Sequence, residues 1–316
     1  MLDPVVCFFL LGALAGLVRS DLKVPLAFYN TLSIYLLLSI GIKGGIELYK
    51  ADFSQIFFPA LVTVFLGILI TSLAFLILSR ILNFNRANAA AIAAHYGTVS
   101  AVTFAVVNSY LHDLNFEYEE FMTVLLVFLE IPGIATAIFI YKTGHNKTEK
   151  TQWGKLFHEI MFGKSMLLLI GGLFIGMITA FTGNKQLNFF FFDLFKGFLS
   201  IFMLEMGIVA SARFADLRKV GIRLVGFGIL MPILSASLGV FAGLLCGLSE
   251  GGTVILATMA ASASYIAAPA AMKMAVPEAN STYYLTAALG VTFPFNLVIG
   301  IPLYVKLTHL VFSNFQ

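Results

Sequence analysis

Apolar runs of about 17 to 25 residues, separated by short polar or Gly- and Pro-containing stretches, recur along the whole chain. Each run is long enough to cross a hydrocarbon layer of roughly 30 Å as a helix. The short alternating segments of a membrane β-barrel are absent. The pattern places spans near 4–19, 25–42, 55–79, 87–110, 120–142, 160–181, 190–211, 221–247, 252–275 and 283–306, predicting an all-α membrane protein of about ten helices.

Composition supports this reading. Hydrophobic residues make up 59% of the 316 positions and charged residues 11%, with a mean hydropathy of +0.95. A water-soluble domain cannot bury so much apolar surface, so the bilayer is the expected solvent. The run from Pro4 to Val18 carries an A-x-A pattern at Ala13 and Ala15, but the charge before it is the acidic Asp3 where a signal peptide would carry Lys or Arg. Cys7 and Cys246 both lie inside apolar stretches, which predicts neither a disulfide framework nor a CxxC metal site.

Charge fixes an expected orientation. Alternating topology divides the connections into two sets. One holds all of the 19 Lys and Arg residues except Lys43, Lys50, Lys185, Lys196 and Lys306. The poorer set also carries the acidic cluster Asp113, Glu117, Glu119 and Glu120. The positive-inside rule makes the richer set cytoplasmic and puts both termini outside, in a multi-pass cell (inner) membrane protein.

The chain also resembles itself. Residues 89–107 (AAAIAAHYGTVSAVTFAVV) lie over 253–271 (TVILATMAASASYIAAPAA), 128–142 over 292–306, and 39–53 over 203–217. Five spans per half force the second half to enter the membrane with opposite polarity, an inverted repeat of the kind found in secondary transporters. The expected division is 1–142 as the first five-helix repeat, 143–159 as a cytoplasmic linker and 160–316 as the second repeat.

Corresponding positions of the fourth and ninth spans carry small and hydroxyl residues in mid-membrane. These are Gly97, Thr98, Val99, Ser100, Ala101, Val102 and Thr103 in one, and Ala261, Ser262, Ala263, Ser264 and Tyr265, then Pro269, in the other. Such runs also serve close helix packing, but paired interruptions in two halves point to discontinuous helices around a transport site. Half-helix N-termini there favour an anion, and freed carbonyls and hydroxyls suit a small hard cation. The substrate-binding candidates are Gly97, Thr98, Val99, Ser100, Ala263, Ser264 and Tyr265. The sodium-binding candidates are Ser100, Thr103, Glu130, Ser262 and Asn296. No other metal and no cofactor is expected.

Intramembrane carboxylates are costly and often functional. Glu130, followed by Pro132, is read either as a cation or proton site or as a buried acid bonded to hydroxyls. Glu205 and Lys43 are read as a charge pair within the scaffold, and His95 as a packing histidine. The run Phe189–Phe192 is expected to face lipid or the interface.

The motifs GIKGGIEL (41–48), GTVSAVTF (97–104), LEIPGIATAI (129–138), the stretch 251–280 and IGIPLY (299–304) resemble those of the sodium-dependent bicarbonate symporters of cyanobacteria and their wider bacterial relatives. Their order covers nearly the whole chain. The resemblance implies a core and a gate domain, a homotrimer, elevator-like symport of bicarbonate with sodium at the crossing of two broken helices, and regulation by a PII-like cytoplasmic protein. Two departures are visible. Tyr265 stands where the resemblance predicts an acidic residue, and the linker is short where the family's bicarbonate transporters often carry a long insert.

A cation/proton antiporter using Glu130 and Glu205, a sodium-coupled organic-carboxylate symporter and a membrane receptor for a cytoplasmic regulator are the other readings. No HExxH or GxxxxGK[ST] motif occurs, so neither an intramembrane zinc enzyme nor ATP-driven transport by this chain is expected. Nucleic acid is not an expected partner.

Overall fold

The computed structural model describes residues 3–143, 153–183 and 186–315. Among the described residues all regular structure is helical. In the first half, α1 spans Pro4–Leu17, α2 Leu26–Lys50, α3 Phe53–Leu76, α4 Arg86–Tyr96, α5 Ala101–Asp113 and α6 Met122–Thr143. In the second, α7 spans Trp153–Met161, α8 Lys164–Thr182, α9 Phe195–Phe214, α10 Leu217–Val220, α11 Ile222–Leu245, α12 Glu250–Ala261 and α13 Ala267–Ala275. A final run joins α14 (Ser281–Leu285), α15 (Phe293–Phe295) and α16 (Ile301–Phe315) through π-helical stretches Thr286–Thr292 and Asn296–Gly300.

Local chemistry sets the ends of these elements. Asp3 caps α1 by accepting from Val5 N at 2.7 Å, with Pro4 at the first helical position, where its missing N–H costs nothing. Asp52 caps α3 through Ser54 N at 3.0 Å, a bond that holds its carboxyl below the usual range. The helix α2 continues to Lys50, past the expected end near 42, because Gly41, Gly44 and Gly45 lie against neighbouring helices instead of ending it.

Among the described residues, eight helical runs are long and apolar enough to cross a membrane, from Leu26–Lys50 to Ser281–Asn314. The α1 helix, with 14 residues, is shorter. The span expected at 252–275 is divided into α12 and α13. Residues 144–152 of the expected linker lie outside the described residues, as do Lys147, Lys150 and Lys185 of the charge asymmetry. The last part of that stretch forms α7, which packs against α13.

Two sets of helices pack as units. In one, α1 lies along α9 and α2 along α8, with α9 touching α2. In the other, α3, α4 and α6 pack together, as do α11, α12 and the terminal run, while α12 touches α5 and α6. Hydrocarbon supplies no hydrophobic force between helices, so close van der Waals approach of small residues has to hold them. Gly41 and Gly45 of α2 meet Gly172 and Gly176 of α8 so closely that a Cβ at any of the four would strike the partner's backbone. Gly12 of α1 and Gly207 of α9 meet in the same way, and Gly239 of α11 lies on Ala257 of α12. Large apolar side chains such as Phe57, Phe181 and Ile222 are exposed, as a lipid-facing surface requires.

Candidate functional site

Two helices break in mid-bundle and the breaks meet. The α4 helix ends at Tyr96 and α5 begins at Ala101; α12 ends at Ala261 and α13 begins at Ala267. An interrupted helix frees backbone groups that hydrocarbon cannot satisfy, and here each break supplies partners to the other. Ser100 N donates to Ser262 Oγ at 2.9 Å, and Ser264 N donates to His95 O at 2.8 Å. Ser262 Oγ in turn donates to Met259 O at 2.8 Å, so this one hydroxyl serves both chain segments.

Side chains cap the four helix ends. Ser100 Oγ accepts from Thr103 N at 3.2 Å at the start of α5, and Ser264 Oγ accepts from Ala268 N at 3.4 Å at the start of α13. Thr98 Oγ1 donates to Ala94 O at 2.8 Å at the end of α4. At the end of α12, Asn296 Nδ2 donates to Ala261 O at 2.9 Å while its Oδ1 accepts from Tyr304 OH at 2.8 Å. Among the described residues, the N–H groups of Ala101, Val102 and Ala267 have no backbone or side-chain partner. Free donors therefore remain at both N-terminal ends.

Two of these residues, Ala101 and Val102, also line a cavity. A small void with room for about one water lies among Ala101, Val102, Ala105, Ile266, Ser33, Ile40 and Phe202. It shares Ile40 and Ala105 with a larger cavity of about 260 Å³ between α2, α5, α6 and the stretch Phe191–Lys196. The two cavities are neighbours, the larger reaching His112 near the end of α5 and the smaller reaching Ala101 and Ile266 at the crossing.

The chain matches the family described as the Na+-dependent bicarbonate transporter superfamily over residues 4–309. It belongs to that superfamily. Membership, with the apolar helices, supports a multi-pass membrane transporter that uses sodium and an anion substrate. No curated protein matches the chain.

For this superfamily member the structure brings Gly97, Thr98, Val99 and Ser100 together with Ser262, Ala263, Ser264 and Tyr265, all buried. The Tyr265 hydroxyl lies beside Ser100 without reaching hydrogen-bond geometry to any group, and its ring sits edge-on to Phe293 at 5.3 Å. Thr103 lies one turn into α5, its backbone tied to Ser100. Glu130 is buried on α6 one turn before Gly133, whose Cα lies against Gly97; among the described residues its carboxylate makes no hydrogen bond or ion pair. Asn296 flanks the crossing from the terminal run, both its polar ends engaged.

Other assignments change. Lys43 pairs with Glu47 at 3.8 Å, one turn away on its own helix, and not with Glu205, whose Oε2 is buried without a partner among the described residues. Phe189 and Phe190 are exposed as expected, but Phe191 and Phe192 line the large cavity because a π-helical turn at Phe189–Asp193 rotates them inward. His95 packs as expected, its ring 4.5 Å from that of Tyr284 and its Nδ1 2.7 Å from Ala91 O.

Ala101 and Val102, named in the small-residue run but not among the binding candidates, line the void together with Ile266. Sequence reasoning missed Tyr96, whose hydroxyl meets Thr292 Oγ1 at 2.6 Å while Thr292 donates to Gly228 O at 2.7 Å. This pair anchors the end of α4 to the terminal run and α11.

Proposed function

We propose that this chain is a secondary symporter that carries a small anion, bicarbonate first, with sodium, by an elevator-like alternating access. The observation that carries the reading is the crossing itself. It gathers the C-terminal ends of α4 and α12 and the N-terminal ends of α5 and α13 at one buried point. Helix N-termini attract negative charge and C-termini positive charge, so such a crossing serves an anion and a cation side by side. The unpartnered N–H groups of Ala101, Val102 and Ala267 face the anion, within the segments 97–100 and 263–265. The hydroxyls of Ser100, Thr103 and Ser262, with Glu130 and Asn296, form the oxygen set proposed for sodium.

The packing supports an inverted repeat of ten crossings. If α1 and α2 correspond to α8 and α9, the contacts of α1 with α9 and of α2 with α8 are the same contact exchanged between the halves. In each of the two cross-break hydrogen bonds the donor is the N–H of an aligned serine, Ser100 in one and Ser264 in the other. On this reading α1, α2, α8 and α9 form the static scaffold, and the bundle with the breaks moves against it. The large cavity then opens on the outer side.

Uptake of radiolabelled bicarbonate into proteoliposomes tests this. A sodium gradient should drive concentrative uptake, and dissipating it should abolish that uptake. Sodium-driven alkalinisation of the lumen without added anion would instead indicate cation/proton exchange. Competition by larger carboxylates distinguishes an organic-anion carrier.

A further inference from the structure

The cavity of about 260 Å³ is large for an ion of four heavy atoms and close to the lower limit of small-molecule pockets, about 300 Å³. Its lining is divided by chemistry. One wall is aromatic, built on Phe191 and Phe192 from the π-helical turn before α9. The lining also carries Lys43 and Glu47 of α2, Asn108 of α5 and Lys196 of α9, the last held by Asp113. Lys43 and Glu47 stand 3.8 Å apart, beyond hydrogen-bond length, and neither makes a hydrogen bond among the described residues. Asn108 Oδ1 is buried with no partner, an arrangement that costs free energy unless a ligand or water supplies a donor. The pocket therefore presents a long, partly exposed Lys43–Glu47 ion pair, an orphan acceptor and an apolar surface within one enclosure.

We infer that this cavity binds a zwitterionic amino acid with an apolar side chain. Lys43 receives the ligand's carboxylate, Glu47 and Asn108 Oδ1 receive its ammonium, and the aromatic wall takes the side chain. A simple carboxylate can close on Lys43 but leaves Asn108 Oδ1 without a donor, and a simple amine can close on Glu47 and Asn108 Oδ1 but draws Glu47 from Lys43; the zwitterion exchanges the 3.8 Å pair for close contacts at both ends and supplies the donor that Asn108 lacks. Because α2 and α5 belong to the two separately packed sets of helices, the bound ligand bridges them.

Calorimetric titration of the purified full chain in detergent decides this, with L-leucine, 4-methylpentanoate (leucine without its amine) and 3-methylbutylamine (leucine without its carboxylate) as probes. Leucine is expected to bind saturably at one site, and each analogue at least about tenfold more weakly, a loss of roughly 1.4 kcal/mol. Lys43→Met should bring leucine down to the amine's affinity and Glu47→Gln to the acid's, while Lys43→Arg retains binding. Absence of saturable leucine binding to the wild-type chain overturns the inference. So does an analogue that binds as tightly as leucine. If the Met or Gln variant cannot be purified, the comparison of the three probes on the wild-type chain still decides.

Discussion

Ser100 N donates to Ser262 Oγ at 2.9 Å, joining two residues that are 162 positions apart in the chain. The hydroxyl that receives this bond also donates to Met259 O at 2.8 Å, so Ser262 ties the start of α5 to the end of α12. Neither break could satisfy its backbone alone in a hydrocarbon surround. The crossing is thus one structure shared by both halves, and disturbing either break alters the other.

Ser262→Ala removes the acceptor for a buried N–H, and an unmade buried hydrogen bond of this kind costs about 1–3 kcal/mol. We expect the variant to reach the membrane but to lose most sodium-dependent uptake, with Ser262→Thr retaining the bond and a measurable rate. Initial uptake rates against sodium concentration check this. A wild-type sodium dependence in Ser262→Ala would remove Ser262 from the sodium set.

Gly97 is fixed by space. A Cβ there would strike Thr71 Oγ1 and come within 3.1 Å of Gly133 Cα, and Gly133 in turn leaves no room beside the Gly97 carbonyl. Overpacking of this kind typically costs about 1–3 kcal/mol. Gly97→Ala should lower the thermal transition of the purified protein, and adding Thr71→Ala should restore part of the loss. No recovery in the double variant would assign the strain to the Gly133 side.

The all-helical class, eight long apolar spans and both breaks were legible in sequence for one reason: a bilayer demands long apolar runs, and small residues with Ser, Thr or Pro inside such a run mark where a helix can open. What was hidden depends on partners far away in the chain. Gly41, Gly45, Gly172 and Gly176 stand in plain GxxxG spacing, but which helix meets which is decided by tertiary packing. The inward turn of Phe191 and Phe192 follows from a π-helical step, which the 3.6-residue period does not announce. Ala101 and Ile266 were not binding candidates because their side chains carry no polar group, and their place beside the void is set by tertiary packing.

The same physics makes Asn296 testable. Its amide spans from Ala261 O at the end of α12 to the Tyr304 hydroxyl, with a π-helical stretch between the two residues aligning them. Tyr304→Phe should cost about 1 kcal/mol, the usual net worth of one hydrogen bond, and Asn296→Leu more, since it also frees Ala261 O. Thermal stabilities of both single variants and the double variant measure the coupling. Additive losses would show that Tyr304 does not act through Asn296.

Lys196 of α9 and Asp113 of α5 join the scaffold set to the set that carries the breaks, with Nζ 2.7 Å and 2.9 Å from the two carboxylate oxygens. Both side chains are about two-fifths exposed, so the pair contributes at most about 1 kcal/mol to folding, and salt weakens it. Its effect on which conformation dominates is larger in proportion, because two states separated by 1.4 kcal/mol differ tenfold in population. Asp113→Asn should therefore leave the thermal transition nearly unchanged. It should shift accessibility of a cysteine placed at Ala105, which borders both cavities, towards slower labelling through the larger cavity as the two sets slide apart. High salt should reproduce the shift in the wild type and have little further effect in Asp113→Asn. Equal labelling rates in the two proteins at low salt would show that this ion pair does not hold the present arrangement.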